Sequence, residues 1–473
     1  MNHISSSKTT INNKLGVGLK PRHLTMMSIA GVIGAGLFVG SGAIISKAGP
    51  AALLAYVIGG ILVVFVMRML GEMAVASPDT GSFSTYADRA IGPWAGFTIG
   101  WLYWWYWVLL MPLEANVAGL ILNGWFPQIP VWVYALVVTV LLTVTNLFNV
   151  KNYGEFEFWF ALIKVIAIIL FLIIGSLAVL NLWPYGQVHG LSNLTAKGGF
   201  MPNGFGAVIV ALLGAMFAFL GTEIVTVAAS EAKNPEQQIV KTTKSVVWRI
   251  CLFYVGSIFL IVALTPWTDP ELGKAGYGAY RRTLELLGIP SARWIMDFVV
   301  LTSVCSCFNS ALYTGSRMAF SLSKRGDAPK FMQITSATGT PRLAVLSSSA
   351  IALIMVVANY IVPEKVFNTL MSTTGTIALF VYLVISLSQL KMRRKLEAAG
   401  NPLHLKMWCF PYITYGCIIF IILAVACMIY EPTFRIEVLC TSTVAAFVVL
   451  IGFLRQKRTK IPNERAGAST ITP

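Results

Sequence analysis

Apolar residues run in long blocks along almost the whole chain, separated by short polar segments. Twelve blocks are long enough to cross a bilayer: 23–47, 51–76, 96–123, 130–150, 157–181, 205–229, 244–266, 294–321, 343–362, 366–390, 407–430 and 435–454. A membrane-spanning helix needs about 20 such residues. The blocks are too long for barrel strands, and they lack the two-residue alternation that barrel strands carry. The pattern predicts an all-α polytopic membrane protein with about twelve transmembrane helices. Residues 1–22 and 455–473 are polar and read as tails, and 182–204 reads as an outer loop.

Two blocks do not look like uninterrupted helices. The first carries Gly31, Gly34, Gly36, Gly40 and Gly42. Each glycine costs about 1 kcal/mol relative to alanine inside a helix. Close packing through small residues explains some of them. A break at mid-membrane explains more, because it frees backbone N–H and C=O groups to face a buried cavity. The sixth block carries Gly221-Thr222-Glu223 at mid-span, a second breakable place. The two stand five spans apart, at corresponding positions of two five-helix halves. Transporters built from inverted repeats put their site between two such helices. The halves run over 23–181 and 205–390, and 391–454 holds two further helices. Gly40 and Gly42 lie beyond the break and are assigned to packing.

Charged residues inside the blocks are the next signal. A carboxylate as deep as Glu114 is costly and is a functional candidate by default; the bland alternative is a carboxyl tied to a neighbouring helix. Lys164 sits about two turns into the fifth block, where desolvation disfavours its charge. Either it snorkels to the inner surface, or it is an intramembrane amine that gains and loses a proton. Glu155 and Glu157 read as inner-surface groups, solvated or locally paired. Arg68 and Glu72 are four apart, share a helix face and can pair. The run Trp101-Leu102-Tyr103-Trp104-Trp105-Tyr106-Trp107 reads as an interfacial aromatic belt or as packing, or as the wall of a substrate vestibule.

Of the 473 residues 56% are hydrophobic and 11% charged, and the net charge is +16. In a soluble protein that charge would suggest nucleic acid. Here Lys and Arg crowd the segments on one side of the membrane, which by the positive-inside rule places both tails in the cytoplasm. The exception is outer loop 267–293, with Lys274, Arg281, Arg282 and Arg293. No cleavable signal peptide is visible. The seven cysteines lie in or beside the blocks with no outer-loop pair, and read as free, buried thiols. The four histidines are scattered, so no metal site and no cofactor are expected. No nucleophile–base pair at the membrane face points to an enzyme, and no repeated pore motif points to a channel.

Several stretches together resemble the amino acid–polyamine–organocation superfamily, specifically its bacterial amino acid permeases. They are Arg22-His23 leading into Gly31, Gly34 and Gly36; Met69-Leu70-Gly71-Glu72-Met73; Phe156-Glu157-Phe158-Trp159 with Lys164-Val165; Gly221-Thr222-Glu223; Asn234-Pro235; and Ser316-Arg317 with Gly326-Asp327-Ala328-Pro329. The resemblance covers about residues 15–455. Within the family, Gly100–Trp105, Pro112–Asn116 and Val150–Glu157 are most like members that carry 4-aminobutyrate.

The resemblance implies a LeuT-type fold: a 5+5 inverted repeat with discontinuous helices 1 and 6, plus two accessory helices. It implies a multi-pass secondary transporter of the bacterial inner membrane, importing 4-aminobutyrate or related zwitterionic amino acids by proton symport with alternating access. The same fold carrying another amino acid, proline or an aromatic one, is the alternative. The substrate carboxylate would sit on backbone N–H groups around Gly31 to Gly36, including Ile33, Gly34 and Ala35, where a half-helix N-terminus carries partial positive charge. The amine would face the helix 6 break at Phe217, Phe219, Leu220 and Thr222, or Glu114. Lys164 would be the proton-coupling group, and Glu223 and Glu231 are gating candidates. The expected partners are the substrate, the proton and the lipid bilayer, with no nucleic acid, and the chain acting as a monomer or weak oligomer.

Overall fold

The first span is interrupted where its glycines gather. In the computed structural model, α1 (Pro21–Ala30) ends before them, and α2 (Ala35–Phe38) and α3 (Gly40–Ala48) resume beyond. The structure describes residues 21–30, 33–79, 81–147, 150–219, 221–230, 234–274, 277–361, 363–400, 403–430 and 432–468. Gly31, Leu220 and Glu231 therefore lie outside the described residues.

A turn at Gly49-Pro50 leads into α4 (Ala52–Ala76). The short α5 (Ser82–Ala90) precedes α6 (Pro93–Trp125), α7 (Val131–Asn146) and α8 (Val150–Val179). The sixth span is also in two pieces, α9 (Gly204–Phe219) and α10 (Ile224–Ser230). The seventh is α11 (Pro235–Arg249), a π-helical stretch Ile250–Gly256 and α12 (Ser257–Leu264). A hairpin before the eighth span holds α13 (Ala279–Leu286). Then come α14 (Ala292–Lys324), α15 (Arg342–Ile361), α16 (Pro363–Ala398), α17 (Tyr412–Tyr430) and α18 (Pro432–Ala468). Among the described residues, eight helical stretches are long and apolar enough to cross a membrane, the first of them joining the second half of span 1 to span 2. The shorter apolar helices Val131–Asn146, Gly204–Phe219 and Arg342–Ala358 supply the rest of the twelve predicted spans. Among the described residues there is no strand.

Burial separates centre from periphery. In the apolar window of α6, 83% of residues are buried, and in that of α14, 72%; the values for α17 and the apolar part of α18 are 22% and 17%. The first pair packs along its length as the axis of the molecule. The outer faces of the last two helices are apolar and uncovered, as suits helices that face lipid.

That arrangement corrects several expectations. The aromatic run of α6 is not an interfacial belt: Tyr103, Tyr106 and Trp107 are fully buried. Tyr103 meets Phe83, Tyr106 and Trp107 at ring distances of 4.7, 6.2 and 5.6 Å. A central helix has protein on every side, so its aromatics pack instead of anchoring to headgroups. All seven cysteines are free as expected, but only Cys307 and Cys417 are buried; Cys305 is partly covered and the other four are exposed. In a membrane helix an exposed apolar face satisfies the hydrophobic pattern as well as a buried one.

Arg68 and Glu72 do not pair. Arg68 Nε donates to the Lys406 carbonyl at 2.8 Å, and its guanidinium lies over the Trp408 ring. Glu72 is buried and bound instead by Gln389 Nε2 (2.9 Å), Arg393 (3.0 Å) and the Met407 amide. The basic excess of the outer loop is neutralised within the hairpin and the start of α14. Arg282 meets Asp269 at 2.8 Å, Lys274 meets Glu271, Arg281 meets Glu285 at 3.0 Å, and Arg293 meets Asp297 at 3.7 Å. The hairpin rests on the second half of span 1, with the Leu272 carbonyl against Gly42 and Gly278 against the Phe38 carbonyl.

Candidate functional site

At the break of span 1, the described backbone groups at Ile33 and Ala35 find non-helical partners. The Ile33 carbonyl accepts from Ser303 Oγ of α14 at 2.6 Å. The Ala35 amide, first of α2, donates to both carboxylate oxygens of Glu114, at 3.3 and 3.2 Å. Glu114 is buried on α6, and the Cys307 thiol of α14 hydrogen-bonds to it. A carboxylate at a helix N-terminus meets unpaired N–H groups and the positive end of the dipole. The break is tightly enclosed. A Cβ on Gly34 would lie 2.6 Å from Glu114 Oε1, and one on Gly36 would lie 2.9 Å from the Phe217 ring and 3.0 Å from Ala218 Cα. Only glycine lets span 1 approach α6, α9 and α14 this closely.

The second break is built differently. Gly221 has φ +98°, a conformation that favours glycine. Its amide donates to both oxygens of Glu223, each at 3.1 Å. Thr222 Oγ1 donates to the Phe219 carbonyl and accepts from Arg249 of α11, both at 2.6 Å. Phe217 lies on Gly36, whereas Phe219 points to Tyr56 and Tyr254, with ring centroids 5.9 and 4.8 Å away. The breaks thus meet through Phe217 and Ala218. Thr222 and Glu223 belong to a neighbouring buried cluster with Arg249.

Lys164 is fully buried on α8, so it does not snorkel. The charged groups that act on it are Glu157 of its own helix and Glu114. Glu157 is fully buried too, contrary to its reading as an inner-surface group. It faces α14, where Ser306 Oγ donates to its Oε1 at 2.6 Å. Glu155, two residues earlier, does sit at the surface and pairs with Arg22 and His23. The site therefore joins Ile33, Gly34, Ala35, Gly36, Glu114, Phe217 and Lys164, with Ser303 and Cys307 added from α14.

A model of the amino acid permease family matches residues 23–463. The chain belongs to the amino acid permease family. It is 59% identical over 448 residues to a probable GABA permease of Pseudomonas aeruginosa, covering 94% of each chain. It is 57% identical over 437 residues to the gamma-aminobutyric acid permease of Escherichia coli, covering 92% of this chain and 93% of the relative. A gamma-aminobutyric acid permease of Bacillus subtilis is 49% identical over 456 residues, covering 96% of each. The permease is thus a multi-pass membrane transporter and not an enzyme. Among the described residues no cluster of His, Cys, Asp or Glu has metal-binding geometry.

Three buried polar groups at or around the site escaped the sequence reading. Arg249 is 2% exposed within the seventh apolar block, and its apolar flanks were the signal. Glu157 was assigned to the surface because it opens the fifth block; its i,i+7 spacing from Lys164, which puts both on one helix face, would have revealed it. Ser303 carried no signal, since serine is common in packed membrane helices.

Proposed function

We propose that the permease imports 4-aminobutyrate, or closely related zwitterionic amino acids, by proton symport with alternating access. The observation that carries this is the junction at Ala35, where a helix N-terminus, the Glu114 carboxylate and the electrostatic reach of Lys164 converge in the buried interior. High identity to proteins named for 4-aminobutyrate over nearly the whole chain supports the substrate.

In this reading the substrate carboxylate takes the N–H groups at the start of α2. Glu114 holds one of them in this structure, so the arriving carboxylate replaces it there. Glu114 then turns to the amine, which in 4-aminobutyrate lies further from the carboxylate than an α-amine does. Lys164 carries the coupling proton. Protonated, it braces span 1 against α8; neutral, it lets the two halves rock. We read the two halves as LeuT-type inverted repeats, and the N- and C-termini as cytoplasmic in a bacterial inner membrane. The chain works as a monomer or weak oligomer.

Uptake of labelled 4-aminobutyrate into proteoliposomes, with an imposed pH gradient and no sodium, tests the reading. Accumulation above the outside concentration is expected, with β-alanine competing better than proline or aromatic amino acids. Stronger competition by proline or an aromatic amino acid would assign the fold to that substrate instead.

A further inference from the structure

Glu157 is a fully buried acid that the transport reading leaves without a task. It lies seven residues before Lys164, so the two side chains share one face of α8, about 10.5 Å apart along the axis. Lys164 is the cation whose charge acts on Glu157 across that distance. One oxygen of Glu157 accepts from Ser306. The other, Oε2, is buried, and Ser310 and Asn309 of α14 stand beside the same carboxylate. Its neighbours on α14 are thus neutral donors. A buried carboxylate is expensive unless a cation or several donors hold it.

We propose that Glu157 is the proton-exchange partner of Lys164, the group through which the coupling proton leaves the ammonium. The Nζ–H bond breaks, its electron pair stays on nitrogen, and an O–H bond forms at Oε2. When the two side chains come within hydrogen-bond reach, an ammonium and a carboxylate become a neutral amine and a neutral carboxyl, and nothing is oxidised. Glu157 then releases the proton towards the end of α8 that carries Glu155, the end read as cytoplasmic. The titratable groups around Glu157 fit this part. Lys164 lies on its own helix, and Cys307 comes from α14. His23 and Arg22 of α1 are engaged by Glu155 at the mouth. α7 and α12, also packed on α8, bring no carboxylate or ammonium. The inference rests on the proton-symport reading.

The test uses the full-length protein in proteoliposomes with labelled 4-aminobutyrate. Two assays run side by side: accumulation driven by a pH gradient, and exchange of labelled for unlabelled substrate at equal pH. Glu157→Gln keeps the size of the side chain and an oxygen for Ser306. It is expected to lose accumulation while retaining exchange, and Glu157→Asp to recover accumulation with a displaced pH profile. Accumulation by Glu157→Gln equal to that of the wild type overturns the inference and leaves symport standing. So does a proportional fall of accumulation and exchange in both variants, which marks a structural residue. Failure of the wild type to accumulate substrate removes the symport reading, and this inference with it.

Discussion

The backbone amide of Ala35 is shared by the two carboxylate oxygens of Glu114, 3.3 and 3.2 Å away. An acid from the central helix thus closes the N-terminus of the second half of span 1. That contact joins the backbone expected to bind substrate to the side chain expected to read its amine.

Removing the charge of Glu114 tests both ends of this contact. Glu114→Gln keeps one acceptor for Ala35 but removes the charge set against the substrate amine, and a charge-assisted bond there contributes about 1.5–3 kcal/mol. The KM for 4-aminobutyrate should rise roughly tenfold to a hundredfold. Initial uptake rates across substrate concentrations measure it, and an unchanged KM would make Glu114 structural.

Lys164 is the cation acting on both Glu114 and Glu157. Lys164→Ala should abolish accumulation driven by a pH gradient and leave substrate exchange measurable. Undiminished accumulation in proteoliposomes would remove Lys164 from the coupling mechanism.

Two glycines separate close approach from mere helix content. A Cβ on Gly36 would meet the Ala218 backbone at 3.0 Å, and one on Gly416 would meet nothing within 4 Å. Gly36→Ala should destabilise the protein by about 1–3 kcal/mol and impair uptake. Gly416→Ala should be neutral or stabilise by roughly 0.5–1 kcal/mol. Thermal unfolding in detergent compares them.

Glu72 offers a contrast of partners. Arg393, whose side chain is 10% exposed, bonds to it at 3.0 Å, whereas Arg68 faces Trp408. Arg393→Ala should lower stability by about 3–5 kcal/mol, because it strands a buried acid. Arg68→Ala should cost about 1 kcal/mol. Equal melting temperatures for the two variants would contradict this assignment.

What the sequence made legible was local. Apolar runs gave the spans, and the glycines of Gly31–Gly42 and Gly221 gave the two breaks, because a helix must carry its own reasons to stop. Partners distant along the chain were not legible. Glu72 looked paired to the nearest cation, yet its ligands come from Gln389, Arg393 and Met407. The depth of Glu157 was hidden because a polar residue opening an apolar block looks like a surface residue. The burial of Tyr103 and Trp107 depended on where α6 stands among its neighbours, which an aromatic count does not encode. At the site, Glu114 and Lys164 stood out as charges in apolar runs. Their meeting with Ser303 and Cys307 of α14 required the tertiary fold.

The hairpin lies directly on the second half of span 1, carbonyl against glycine at Leu272–Gly42 and again at Phe38–Gly278. Neither contact has a flexible side chain between the two backbones to absorb movement. The hairpin and this part of span 1 are thus fitted backbone to backbone, and any side chain larger than hydrogen at Gly42 or Gly278 would force the two apart.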